Sequence, residues 1–158
     1  MTRHIVKFFV GLATILGSMA WAAPPSLPAD PAAVEVISRF LDICNRDGDL
    51  ESKGREVVAA RLVHASKLDL NNPAQLNADA LRFGFKRAAE NAHFYETRIT
   101  RVTQTSTTGV GFGTTAQRGR LYKYFVAKRA GVAGMPAPLH VFFPDQGGAP
   151  VLYDWGSL

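Results

Sequence analysis

The run Phe94–Thr107, FYETRITRVTQTST, is where this chain changes period. Before it, apolar residues recur at helical spacing; from it onward, Thr and β-branched residues alternate in the manner of strands. Three further runs follow the same rule. RLYKYFVAKR (120–129) alternates around Tyr122 and Tyr124, PLHVFF (138–143) is apolar apart from His140, and PVLYDW (150–155) follows near the end, with Gly and Pro turn signals between them. GVGFGTT (109–115), where Gly alternates with Val110 and Phe112, reads as a fifth and weaker strand.

Upstream the pattern is helical. Asp30-Pro31 places an N-cap before a Pro at the first helical position. The next residues put Val34, Ile37, Leu41 and Cys44 on one stripe, with Phe40 and Ile43 beside it, a face wide enough for packing on two sides. A second helix is expected from about Ser52 to Leu68, turning Val58, Leu62, Ala65 and Leu68 inward. A third is expected from about Pro73 to Ala92, with Leu81, Phe85, Ala88 and Ala92 at helical spacing. Helices followed by consecutive strands predict an α+β domain, three N-terminal helices packed on a curved antiparallel sheet of four to five strands.

Composition narrows the setting. MTRHIVK, the apolar run FFVGLATILGSM and the small residues Ala20 and Ala22 form a secretory signal pattern, so residues 1–22 are expected to be cleaved. The apolar run is shorter than the roughly 20 residues that span a bilayer, so no membrane span is expected after cleavage. Residues 23–30 form a proline-rich leader, extended and mobile, and 31–158 a single domain. The expected location is periplasmic or secreted. Cys44 is the only cysteine, so the core must hold the domain without an internal disulfide. The full chain carries a net charge of +5, and losing Arg3 and Lys7 reduces it. The cations are scattered, without the dense stripe of a nucleic-acid footprint.

The amphipathic first helix, the DGDLES turn (47–52), the further helices and the closing strands with their YDW ending resemble the nuclear transport factor two-like superfamily. That resemblance covers about Pro31 to Leu158 and implies a cone-shaped domain in which a curved sheet wraps around the helices. Its members include ketosteroid isomerases, dehydratases, epoxide hydrolases and non-catalytic secreted domains, so the fold alone does not choose a function. If the cone holds a pocket, Tyr122, Tyr124, Tyr153 and Trp155 are its expected lining, with Tyr hydroxyls able to donate to a carbonyl or oxyanion. The superfamily's isomerases add an Asp base inside the cone. Here the acids of the strand region are Glu96, Asp145 and Asp154, and no inward base is evident.

A hairpin symmetric about Gly147 would pair Phe143 with Val151, Phe142 with Leu152, Val141 with Tyr153 and His140 with Asp154. Leu139, Val141, Phe143, Val151, Tyr153 and Trp155 then share the core face, while His140, Phe142, Leu152 and Asp154 take the outer one. On that face His140 and Asp154 read as a contact surface more than as a catalytic pair, because catalysis needs a concave, desolvated site. Asn45, Asp47, Asp49, Glu51 and Glu56 match calcium-loop positions, but Leu50 stands where the loop needs Gly. His64, His93 and His140 are far apart, and GVGFG is not a dinucleotide fingerprint. Neither a metal nor a cofactor is expected. The expected function is non-catalytic binding of a protein or small apolar ligand, with a homodimer through the sheet as one form. The alternative is a small cone-fold isomerase, lyase or hydrolase acting on an apolar substrate.

Overall fold

In the computed structural model, which describes residues 25–106, 108–156 and 158, helix α1 (Pro31–Asn45) begins where Asp30 accepts hydrogen bonds from the Ala32 and Ala33 amides. Its Ala33, Val36, Ile37, Phe40, Leu41, Ile43 and Cys44 are buried, while Val34 is only half-buried. The signal segment expected at 1–22 lies outside the described residues. The leader is docked where it is described: the Leu27 amide donates to Val102 O at 3.0 Å, and the Val102 amide donates to Ser26 Oγ at 3.0 Å.

Helix α2 (Leu50–Ala59) is capped by Asp49, which accepts from the Ser52 amide. It ends nine residues short of the expected Leu68. The chain leaves the helix at Arg61, whose φ of 54° is left-handed, because Leu62–His64 pairs in parallel with the last strand. Leu152 N–H donates to Leu62 O at 2.7 Å, and His64 N–H to Leu152 O at 2.8 Å. Those bonds satisfy backbone groups that further helix would otherwise serve. Leu62 is therefore buried by strand-like pairing, and Ala65 and Leu68 are only half-buried.

The third helical stretch starts later than Pro73, with Asn77 Oδ1 accepting from the Ala80 amide at 2.8 Å. It runs as a π-helical turn (Ala80–Phe85), then α3 (Lys86–Asn91), then a 3₁₀ turn (Ala92–Phe94). Phe85, Ala88 and Ala92 face inward as their spacing predicts.

Strands β1 (Tyr95–Ser106), β2 (Gly119–Lys128), β3 (Ala137–Pro144) and β4 (Val151–Asp154) form one antiparallel sheet in the order β1-β2-β3-β4. Among the described residues the architecture is α+β, with three helices and four strands. The fifth strand expected at 109–115 is a loop instead, holding one bridge between Val110 and Gln117 and a 3₁₀ turn at Gly113–Thr115. Gly109 and Gly111 have φ of +117° and +84°, and a Cβ on them would lie 2.3 Å from Gln117 O and 2.4 Å from Thr115 O. The glycines serve a loop folded tightly on itself.

The terminal hairpin corrects the expected faces. His140 does face Asp154, but Val141 faces Leu152 and Phe142 faces Val151, with the irregularity between His140 and Val141. Tyr153 is the extra residue of a β-bulge. The bulge turns Leu152 into the main core with Leu139, Val141 and Trp155, and moves Tyr153 out of it. Phe142 lies on the other side yet is fully buried, against the edge of the His64 ring at 5.3 Å. The outer face expected to be open is covered there by the chain itself. Among the described residues no helix is long and apolar enough to cross a membrane.

Candidate functional site

The four aromatics expected to share a pocket are divided among different surroundings. Tyr122 and Tyr124 lie on the helix-facing side of β2, beside a recess of about 260 Å³ that Leu27, Pro28 and Asp30 help to line. The Tyr124 hydroxyl accepts from the Asp30 amide at a long 3.4 Å, and burial pushes its pKa up. Trp155 packs against Phe40, ring centroids 5.4 Å apart, and borders a different cavity of about 410 Å³. Tyr153, displaced by the bulge, sits edge-on to His64 at 5.5 Å under the Lys67 ammonium at 5.0 Å.

His140 and Asp154 are brought together, with Nδ1 and Oδ2 3.5 Å apart. The imidazole first, then the Gly156 amide and Lys67, hold the Asp154 carboxyl down to about 2 against the effect of burial. The carboxylate is therefore fixed in its ionised form and already engaged. Asp154 also borders the 410 Å³ cavity, so the pair is not confined to a flat outer face as its register alone implied.

His64 was not singled out by the sequence beyond its distance from other histidines, yet among the described residues it is the buried polar one, at 2% exposure. Its Nδ1 accepts from the Ser66 amide at 3.2 Å and lies 2.9 Å from Ser66 Oγ. That fixes the proton on Nε2, which is buried without a well-formed hydrogen bond among the described residues. Burial, more than the nearby Lys67, lowers the His64 pKa, while Gln117 raises it, so the ring is neutral near pH 7. The Ser66–His64 contact has the atoms of a nucleophile and base. Because the same Nδ1 takes the Ser66 amide, the ring is first of all the cap of the 3₁₀ turn Ala65–Lys67.

Two grooves meet at Ser66 and Asn77. The first, about 680 Å³, runs between the Leu68–Asn71 and Phe112–Thr115 segments. The second is the 410 Å³ cavity beside Trp155. Their rims carry Phe112, Leu70 and Phe83 at 88%, 83% and 73% exposure. Sequence reasoning missed all three, taking Phe112 with its alternating glycines as part of a strand. Among the described residues no group of three or more His, Cys, Asp or Glu side chains gathers as a metal site. Of the calcium-loop pattern, Asp49 is used as a helix cap and Glu56 pairs with Arg46.

No protein-family model, curated protein or solved structure matches the chain.

Proposed function

We propose that this chain is an exported, non-catalytic binding domain that takes a small apolar ligand or an apolar protein segment in the paired grooves. The observation that carries the reading is the placement of Phe112, Leu70 and Phe83, three large and highly exposed apolar side chains, on the rims of grooves that share Ser66 and Asn77. Exposed apolar groups clustered around concave surface mark interaction sites. Export is supported by the basic start, apolar run and small residues of 1–22. The order of helices before an antiparallel meander is consistent with the nuclear transport factor two-like cone, with the sheet curving around the helices. Asp154 would then lie beside the ligand, with His140 as its partner, and association of two copies through the sheet is a further part of this proposal.

The test is titration with Nile red, a neutral apolar fluorophore. Saturable fluorescence enhancement by the folded protein is expected, with binding strongly weakened in Leu70→Ser/Phe112→Ser. Dye bound equally by that variant, or bound only on melting, would overturn the reading. The alternative, a small hydrolase, rests on the Ser66 Oγ contact with His64. It requires that Ser66→Ala abolish turnover of an apolar ester without changing dye affinity.

A further inference from the structure

The cavity beside Trp155 holds hydrogen-bond donors that lack acceptors. Trp155 is 2% exposed, and among the described residues its buried indole N–H has no partner. A donor left in that state has lost water with nothing in the fold to offset the loss. The indole nitrogen lies beside Gly84, where a Cβ would stand 3.0 Å away. Gly84 has no left-handed φ, so its backbone does not demand a glycine. The missing side chain leaves space next to the indole N–H. Gly84 belongs to the π-helical turn, a distortion that recurs at functional sites.

Two cations border the same cavity. Lys67 stands over the Tyr153 and Trp155 rings, 5.0 and 5.7 Å from their centroids. Among the described residues no carboxylate lies within ion-pair distance of it, and its charge reaches Asp154 only from farther off. Arg87 reaches the Gly156 carbonyl at 3.4 Å, leaving the remaining guanidinium donors for another acceptor. Of the acids there, Asp154 accepts from the Gly156 amide at 3.1 Å and faces His140. Asp79 opposes an anion and sits in the first turn of the helical stretch.

We propose that this cavity binds a small apolar carboxylate, its oxygens on Lys67, Arg87 and the Trp155 N–H, its hydrocarbon body along the exposed Phe83 ring. Charge-assisted contacts of this kind supply orientation, while the apolar shelf supplies burial. The inference rests on the binding-domain reading and names its ligand class.

The experiment uses the full chain carrying Trp21→Phe, which leaves Trp155 as the single tryptophan. Its indole ¹H–¹⁵N resonance is followed during titration with 3-phenylpropionate, 3-phenylpropan-1-ol and 3-phenylpropylamine. The acid is expected to move the resonance and to bind about tenfold or more tighter than the alcohol, about the margin one charge-assisted contact provides. Lys67→Gln and Arg87→Gln should each weaken the acid, and Asp79→Asn should strengthen it. Gly84→Ala puts a Cβ 3.0 Å from the indole nitrogen, so it should suppress the indole shift, with the gain in helix propensity opposed by crowding of the buried Trp155 in the melting temperature. An alcohol that matches the acid, or an amine that binds best, overturns carboxylate recognition and leaves groove binding standing. If none of the three moves the resonance, carboxylate recognition falls, and the Nile red titration decides separately whether the groove reading survives.

Discussion

His64 meets Phe142 edge to face, ring centroids 5.3 Å apart and planes at 87°, on the side of the sheet away from the main core. This contact seals a small second cluster in which Leu121 stands across from Phe142. Phe142→Ala should cost about 3–5 kcal/mol, the usual range for a fully buried Phe. Urea unfolding checks it, and a loss under about 1 kcal/mol would mean the cluster collapses around the gap.

His64 also makes stability depend on pH. Burial lowers its pKa in the fold, with Lys67 acting in the same direction and Gln117 against it. The unfolded chain therefore binds the proton first, and stability is full above the ordinary value of 6.5 and falls as pH drops below it. Urea midpoints from pH 8 to 5 should decline in the wild type and stay flatter in His64→Gln. Equal slopes would remove His64 as the cause.

Asp154 acts at lower pH. Its carboxyl is depressed from the ordinary 3.8 to about 2, so its stabilisation is present above 3.8 and lost as pH falls through about 2. His140→Phe should shift the Asp154 titration upward, read by ¹³C NMR of the carboxyl carbon. An unmoved midpoint would show that the Gly156 amide and Lys67 hold the carboxylate without the imidazole.

Cys44 is buried at 1% exposure, and burial pushes its thiol up to about 12 against the pull of Lys53. The thiolate is the reactive form. A disulfide reagent should leave the native protein untouched and label it at the rate of unfolding. Fast native labelling, or a covalent dimer on a non-reducing gel, would contradict the burial.

Asp30 holds both orphan amides at the start of α1. Asp30→Ala should cost about 1 kcal/mol, within the usual range for a lost N-cap, while Asp30→Ser keeps most of it. Thermal melts of the two variants decide, and equal melting would assign the helix start to Pro31 alone.

Helix α1 and strands β2 and β3 were legible because local signals and global packing agree there: the Asp30-Pro31 cap, the wide apolar stripe, the alternation around Tyr124 and Leu139. The second helix was overextended because VVAARLV continues an apolar pattern that Leu152, about ninety positions later, converts to strand pairing. A one-residue bulge at Tyr153 reversed two faces of the hairpin, and with them the pocket that depended on Tyr153 joining Tyr122 and Tyr124. Register slips of this size leave no trace in composition. The paired grooves were hidden for a related reason. They are built from loop residues around Leu70 and Phe112, whose meeting depends on chain reversals between distant segments.

The short pairings at the two ends of the sheet have a consequence for assembly. A four-stranded meander has two outermost strands whose spare amides and carbonyls can template a neighbour's strand. Here Ser26–Leu27 occupies β1 at Val102, and Leu62–His64 occupies β4 at Leu152. The chain thus supplies its own stoppers against strand-by-strand growth, and a second copy seeking those positions must first evict the leader or the segment after α2.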